Sequence, residues 1–222
     1  MSDSFDDTNQ LAITMVADFS CPWCRIGKAN LDAAIAQRPD ADVQVTYLPF
    51  FLDPTLPVEG KDFREHLSAK FPGVPLDAMF DRVSDAGTTA GIEFRWDLVS
   101  KSPNTLRAHQ LIAIAPREVQ GSLASDIYDA YFLEGKDITD LETLADLAAA
   151  NGLDRAETRE RLANGEGAAD VLSVARQVSQ QGVTGVPFFI FDGRLALSGA
   201  QPSGVLLEAM RQASEPVPAP AD

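Results

Sequence analysis

Cysteine is scarce in this sequence, and its scarcity limits the chemistry that the chain can carry. The 222 residues include two cysteines, Cys21 and Cys24, and two histidines, His66 and His109. A structural zinc site would need two further ligands. The two histidines do not form the close second pair that zinc ribbons and fingers show. Three interpretations of the cysteines remain: a redox-active dithiol, half of a zinc site, or inert core residues. In a reducing compartment an isolated Cys-x-x-Cys is more often catalytic or metal-binding than structural. We therefore favour the dithiol and expect no metal.

The sequence also lacks a long apolar segment and an excess of basic residues. No stretch approaches the ~20 consecutive apolar residues that a membrane-spanning helix needs, and the acidic first residues lack the basic and apolar regions of a secretory signal. The 33 Asp and Glu residues outnumber the 18 Lys and Arg residues, which gives a net charge of −15. Such a charge repels phosphate backbones and anionic lipids. We expect a cytoplasmic protein without nucleic-acid or membrane partners.

The two cysteines bracket Pro22 and Trp23 directly after the apolar segment 11–18. That segment is short and nearly all apolar, which predicts a buried strand. Pro22 suits the first turn of a helix, because it fixes φ there without losing a needed donor. Cys21 would then be the helix N-cap, where the helix dipole and free N–H groups favour a thiolate. We expect Cys21 to be the nucleophile and Cys24 to resolve the mixed disulfide.

The order of predicted elements indicates an α/β fold that contains an inserted block of helices. The first strand, a helix from Pro22 and a strand at 43–48 form a βαβ unit with the Cys pair at the end of its first strand. Helical patterns follow at 62–70, 76–90, 104–115, 122–133, 139–151 and 155–163. Thr139 and Glu142 predict a capping box for the fifth of these. The chain ends with a helix at 167–181, a hairpin with strands 187–191 and 194–198, and a helix at 202–212.

Several short motifs occur in order between residues 11 and 212. They are Asp18 followed by Cys-Pro-Trp-Cys and Ile-Gly, Asn104-Thr with Ala-His109, Tyr-Phe-Leu-Glu-Gly-Lys-Asp-Ile at 131–138, Gly-Val-Thr-Gly-Val-Pro-Phe-Phe at 182–189, and Ser-Gly-Ala-Gln at 198–201. Through them the chain resembles the DsbA family of thiol oxidoreductases, in particular its cytoplasmic FrnE-like branch. The resemblance implies a thioredoxin fold with a central mixed sheet flanked by helices. Residues 11–60 and 166–213 would form the thioredoxin-like domain, 61–165 an inserted all-helical domain, and 214–222 a disordered tail.

The resemblance also assigns roles to residues far from the Cys pair. It implies a cis peptide bond before Pro187, which faces the cysteines, and pairing of the Val186 backbone with the substrate chain by strand addition. Asn104 and His109 are expected where the insertion comes closest to the dithiol, so that they line the substrate groove. The alternatives are a helix cap for Asn104 and a hydrogen-bonded helix residue for His109. His66 carries no motif, and we expect it at the surface.

Two residues near the cysteines tune the expected chemistry. Oxidising members of the family have a histidine in place of Trp23, a group that stabilises the reactive thiolate when it is protonated. Trp23 therefore predicts a less oxidising couple, and its side chain would offer an apolar docking surface for substrate. Asp18 would oppose thiolate formation at Cys21 if it lies close and charged. It could also accept the proton of Cys24 when that thiol is activated.

The kappa-class glutathione transferases and the hydroxychromene-carboxylate isomerases share this fold and provide the main alternative function. They use a serine where Cys21 stands, and they bind glutathione with a Ser-Asp pair where this chain has Ala200 and Gln201. These differences favour dithiol exchange with protein or small-molecule disulfides, in which glutathione could be a reductant or a small disulfide substrate. No other cofactor is expected. A non-catalytic, chaperone-like binding module is a further alternative, and the sequence leaves open whether the protein is a monomer or a homodimer.

Overall fold

A four-stranded mixed β-sheet lies at the centre of the molecule, for which a computed structural model describes residues 10–215. The strands are β1 (Gln10–Ala17), β2 (Asp42–Pro49), β3 (Lys61–Asp62), β4 (Lys101–Ser102), β5 (Phe188–Phe191) and β6 (Leu195–Ser198). The central sheet has the order β2-β1-β5-β6, with β1 parallel to β2 and antiparallel to β5. β3 and β4 form a separate antiparallel pair. The sequence analysis did not predict this pair, because two-residue strands are too short to show periodicity.

Helices cover the sheet and form the insertion between β2 and β5. They are α1 (Pro22–Ile35), α2 (Phe63–Lys70), α3 (Leu76–Thr89), α4 (Leu106–Ile114), α5 (Arg117–Phe132), α6 (Leu141–Ala150), α7 (Arg155–Ala163), α8 (Ala168–Gln180) and α9 (Ser203–Ser214). α1 packs beside α9, and α8 packs on β2. This architecture is the predicted thioredoxin-like α/β fold with a helical insertion. No helix within the described residues is long and apolar enough to cross a membrane.

The sheet and the insertion share one buried apolar cluster. In β1 the side chains of Leu11, Ile13 and Met15 alternate toward this cluster, because successive side chains of a strand point to opposite faces. Met15 pairs in register with Phe189 of β5, and the same cluster contains Leu123 of α5. The insertion therefore covers the sheet as expected. The division into separate domains stays a prediction, since both parts contribute to one core.

The predicted starts of α5 and α6 are wrong, each for a local reason. α5 begins at Arg117 after Pro116 rather than at residue 122, because the helix continues through Gly121. α6 begins at Leu141 with Asp140 as its N-cap, whose carboxylate accepts a hydrogen bond from the Thr143 backbone. The predicted capping box of Thr139 and Glu142 does not form.

The predicted disordered tail also began too early. Ser214 is the last residue of α9, where its hydroxyl donates to the Met210 carbonyl. Residues 216–222, the rest of the predicted tail, lie outside the described residues, as do residues 1–9.

Candidate active site

The Cys pair lies where β1 turns into α1. Cys21 is the N-cap of α1, with Pro22 as the first helical residue, and its carbonyl accepts hydrogen bonds from the backbones of Cys24 and Arg25 at 3.1 and 3.3 Å. Both cysteines are free thiols with buried side chains. Burial raises the pKa of the Cys24 thiol well above its usual value, and a hydrogen bond and charge interaction with Cys21 raise it further. Cys24 is therefore held as a thiol beneath the more accessible sulfur of Cys21.

The Val186–Pro187 segment faces Cys21 from the opposite side of the site. The peptide bond between these residues is cis, and the Sγ of Cys21 donates to the Val186 carbonyl at 3.8 Å. The two residues are 165 positions apart in sequence, so the fold joins two distant motifs. Pro187 also packs against α1, where a Cβ added to Gly27 would lie 2.8 Å from its ring. Pairing of a substrate chain with Val186 stays a prediction.

Asp18 lies directly below the dithiol and is almost completely buried, with 2% of its surface exposed. Its carboxylate accepts hydrogen bonds from the backbones of Ser20 at 3.1 Å and Leu52 at 2.7 Å. Its own backbone carbonyl accepts from the Cys21 N–H at 3.1 Å. The charge of Asp18 adds to the causes that raise the pKa of Cys24. Asp18 is therefore close enough to Cys24 to influence its protonation.

A cavity of about 300 Å³ opens beside Cys21. It lies between the start of α1 and the insertion, and most of its lining is apolar. The lining residues are Ser20, Cys21, Pro22, Trp23, Leu52, Asp53, Leu56, Phe63, His66, Leu67, Lys70, Phe71, Met79, Phe80, Val83, Trp96, Ser102, Pro103, Tyr131, Phe132 and Val186. Trp23, Leu52 and Phe71 are among the most exposed large apolar side chains of the described residues, at 37–38%. Trp23, which was expected to offer an apolar docking surface, thus lies at the mouth of a cavity.

Stacked aromatic rings form the wall of the cavity that belongs to the insertion. The rings of Phe63, Phe80 and Trp96 contact one another in a triangle, with centroids 4.7–6.3 Å apart and nearly parallel planes. The indole N–H of Trp96 donates to the Ser84 hydroxyl at 2.9 Å. The sequence analysis did not single out Trp96, because its role depends on packing between segments that are distant in sequence.

His66 was expected at the surface, but its side chain lines the cavity. Its Nε2 is 3.5 Å from the carboxylate of Asp53, and burial lowers the pKa of its imidazole despite that charge. The spacing of Phe63, His66, Leu67 and Lys70 could have indicated this position. Residues at i, i+3, i+4 and i+7 share one helix face, and Phe63 and Leu67 are apolar.

Asn104 and His109 do not line the cavity, contrary to the expectation from the resemblance. The amide of Asn104 donates to the Leu56 carbonyl at 2.8 Å and accepts from the Leu106 backbone at 3.0 Å. It therefore organises the start of α4. His109 is 6% exposed and packs between the rings of Phe19 and Phe51. Its burial separates it from a substrate in the cavity.

Metal binding has no visible basis in this region. Within residues 10–215, no group of three or more His, Cys, Asp or Glu side chains is arranged to hold a metal ion. The Cys pair is a candidate for thiol chemistry, because Cys21 lies at a helix N-terminus near a buried second thiol and a buried carboxylate.

Several known proteins resemble this chain over most of its length. The sequence profile of the DSBA-like thioredoxin domain matches residues 12–211. The crystal structure of a probable DsbA oxidoreductase, SCO1869 from Streptomyces coelicolor, superposes with a TM-score of 0.83 at 32% identity, covering 96% of this chain and 94% of that one. An uncharacterized Bacillus subtilis protein, YwbO, is 26% identical over 204 residues, which are 89% of this chain and 94% of that protein.

A more distant structure shares the fold alone. The cytosolic disulfide reductase DsbM from Pseudomonas aeruginosa, in its structure with GSH, has a TM-score of 0.60 at 19% identity and covers 91% of this chain and 95% of that one.

Proposed function

This chain belongs to the DSBA-like thioredoxin domain family, and from that premise we propose that it is a thiol:disulfide oxidoreductase of the FrnE-like type. Cys21 is the nucleophile and Cys24 the resolving thiol. The observation that carries the proposal is the position of Cys21, which caps α1 and faces the carbonyl of Val186 beside a cis peptide bond. The family membership supports the reaction class, and this geometry supports the roles that we give to the two cysteines.

The proposed reaction has two displacement steps. The thiolate of Cys21 attacks one sulfur of a substrate disulfide, the substrate S–S bond breaks, and one substrate thiolate leaves while a mixed disulfide forms. The thiolate of Cys24 then attacks the Sγ of Cys21, and the second substrate thiolate leaves. The substrate gains two electrons, and the Cys pair becomes a disulfide. The same steps in reverse oxidise a substrate dithiol.

The second step needs a proton acceptor, because burial keeps Cys24 as a thiol. We assign this role to Asp18, which is buried beside the pair. A carboxylate held by two backbone N–H groups is fixed in place, so it can receive the proton without a large rearrangement. General base assistance of this kind typically contributes about 10²–10⁴ in rate.

The apolar lining of the cavity beside Cys21 favours substrates that carry an apolar group. Its exposed apolar side chains are Trp23, Leu52 and Phe71. A bound apolar group would remove their surface from water, which stabilises the complex by about 25 cal/mol per Å² of apolar area buried. We therefore propose substrates, protein or small-molecule disulfides, that carry an apolar group next to the reacting sulfur. Apart from the Cys pair the reaction needs no cofactor. Glutathione, as a thiol reductant or as its disulfide, is the first small molecule to test. A chain with two cysteines fits a reducing cytoplasm, where we place the reaction.

Serine substitutions of the two cysteines test this function. With a disulfide-bonded protein such as insulin as substrate, we expect Cys21→Ser to abolish reduction. Cys24→Ser should accumulate a covalent mixed disulfide on Cys21, which intact mass spectrometry would detect. Retention of the wild-type rate by Cys21→Ser would rule out the dithiol mechanism. Glutathione-dependent turnover that survives Cys24→Ala would instead indicate the kappa-class alternative, and binding of unfolded protein without any thiol dependence would indicate a binding module.

A further inference from the structure

One ring nitrogen of His109 is buried without a hydrogen-bond partner among the described residues. The atom is Nε2, and the side chain to which it belongs is 6% exposed. An interaction with the Phe50 backbone favours the protonated imidazole, and on that ground we assign the N–H of the neutral ring to Nδ1. A buried polar atom without a partner destabilises the folded state, so its presence beside a reactive dithiol calls for a functional explanation.

The unpartnered nitrogen points toward the carboxylate of Asp18. The Nε2 of His109 and the Oδ1 of Asp18 are 4.0 Å apart, about 1 Å more than a hydrogen bond allows. Burial lowers the pKa of His109 to about 4, although the charge of Asp18 and the bond to Phe50 act in the opposite direction. At neutral pH the imidazole is therefore neutral, and its Nε2 is an acceptor. Two acceptors face each other, and no hydrogen bond can join them while the carboxylate is ionised.

This arrangement changes when Asp18 takes up a proton. A carboxylic acid is a donor, and a small movement would bring it within hydrogen-bond distance of the waiting acceptor. We propose that His109 is a positioning residue whose Nε2 accepts a hydrogen bond from Asp18 after that carboxyl has taken the proton of Cys24. The inference rests on the proposed function and deepens it. In the resolving step the proton moves from the Sγ of Cys24 to the carboxylate, the freed electron pair forms the bond to the Sγ of Cys21, and the mixed-disulfide S–S bond breaks so that the substrate leaves as a thiolate.

The other titratable groups around this pair leave the assignment intact. Cys21 and Cys24 approach from α1, and Tyr128 and Tyr131 approach from α5. Tyr128 donates to the Asp18 backbone carbonyl at 3.3 Å, and Tyr131 donates to the Lys101 carbonyl at 2.8 Å. Burial raises the pKa of both phenols, so neither changes its charge near neutral pH.

The test compares two substitutions of His109. His109→Leu removes the acceptor, whereas His109→Gln offers an amide that can donate to Phe50 and still present an oxygen to Asp18. The rate measured is that of mixed-disulfide resolution by Cys24 in single turnover, as a function of pH. The attack of Cys21 on the substrate, followed in a Cys24→Ala background, is the internal reference. We expect His109→Leu to slow resolution about tenfold across neutral pH, and His109→Gln to recover most of that rate. If His109→Leu does not fold, His109→Phe, which keeps a ring between Phe19 and Phe51, replaces it.

A double-substitution cycle with Asp18→Asn completes the test. Because the amide introduced by Asp18→Asn can take no proton, His109→Leu should cause no further slowing in that background. Equal resolution rates in wild type and His109→Leu would overturn the inference, and so would a tenfold slowing that persists in the Asp18→Asn background. A merely structural role would slow both variants and both steps alike, which also overturns it. Failure of the wild-type protein to form a mixed disulfide at all would instead reject the proposed function.

Discussion

At the scale of single residues, the four side chains of the Cys-Pro-Trp-Cys segment have different surroundings. Cys24 is fully buried, Cys21 is 4% exposed, and Trp23 is 37% exposed at the mouth of the cavity. Pro22 fixes the first turn of α1 between them. Trp23 is therefore the position in this segment at which a substitution can change the chemistry with little effect on core packing.

We expect Trp23→His to make the Cys couple more oxidising. A protonated imidazole next to the helix N-terminus would stabilise a thiolate and hence the reduced form, by about tenfold in the equilibrium with glutathione, which is about 30 mV. The measurement is equilibration in glutathione buffers at pH 6 and pH 8. The shift should be larger at pH 6, where more of the histidine carries a proton. Trp23→Phe, which keeps an apolar ring, is the matched control, and equal potentials for the two variants would contradict the prediction.

The sequence was sufficient for some site residues and not for others. The place of Cys21 and Cys24 at the start of α1 follows from a short local motif, whereas the cis bond before Pro187 and its position opposite Cys21 were expected from the family resemblance alone. His66 and Trp96 could not be predicted, since their place in the cavity wall depends on how α2 and the segment after α3 pack together. The same limit applies to His109, whose motif was found but whose burial the motif did not indicate.

At the scale of elements, α1 is positioned by its close contact with the Pro187 segment. Gly27 allows this contact, because an added Cβ would lie 2.8 Å from the Pro187 ring and 3.1 Å from the ring of Phe189. Periodicity predicted the helix itself, but the requirement for a small residue on this face comes from the neighbouring strand. Likewise the starts of α5 and α6 depend on Pro116 and Asp140 rather than on the apolar pattern.

We predict that Gly27→Ala destabilises the protein, although alanine is normally the better helix residue. The clash with Pro187 should lower the free energy of unfolding by about 1–3 kcal/mol and should also reduce the rate of dithiol exchange. Gly121→Ala in α5 is the control, because its Cβ would meet only the Tyr47 hydroxyl, at 3.7 Å. That variant should gain about 0.5–1 kcal/mol. Urea denaturation measures both, and a stabilised Gly27→Ala protein would refute the packing argument.

At the scale of the whole molecule, a buried arginine joins the active-site helix to the insertion. Arg25 of α1 pairs with Asp129 of α5 at 2.7 Å, donates to the Glu93 carbonyl, and lies over the Phe94 ring with its guanidinium carbon 4.9 Å from the centroid. The residue directly after the Cys pair therefore connects the reactive helix with the segment that carries the aromatic wall of the cavity.

We expect Arg25→Leu to loosen the insertion at this contact. The substitution removes the ion pair with Asp129 and the hydrogen bond to the Glu93 carbonyl, which should lower the free energy of unfolding by about 1 kcal/mol, because the half-exposed Asp129 carboxylate can bind water instead. Hydrogen exchange should accelerate at residues 92–96. Lys28→Leu is the matched control, because Lys28 is also buried on α1 but pairs with Asp32 of the same helix at 2.6 Å. Equal exchange at residues 92–96 in the two variants would count against a special role for Arg25.

Protonation of His109 should make the stability of the whole fold depend on pH. Burial lowers the folded-state pKa of this imidazole to about 4, below the value of about 6.5 in an unfolded chain. Between these values the unfolded chain binds more protons, so the free energy of unfolding falls as the pH is lowered through this window. From pH 7.5 to pH 5 the expected loss is about 2 kcal/mol. His66, whose pKa is also lowered by burial, adds to it in the same direction.

Urea denaturation of wild type, His109→Gln and His66→Gln at pH 5 and pH 7.5 separates these contributions. Carboxylates with lowered pKa values, such as Asp53 and Asp137, lose their stabilising effect only at pH values below this range, because an unperturbed Asp titrates near about 3.9. We expect His109→Gln to remove most of the pH dependence and His66→Gln to remove a smaller part. If wild type and His109→Gln lose the same free energy between the two pH values, the imidazole of His109 is not the buried neutral group that the proton relay to Asp18 requires.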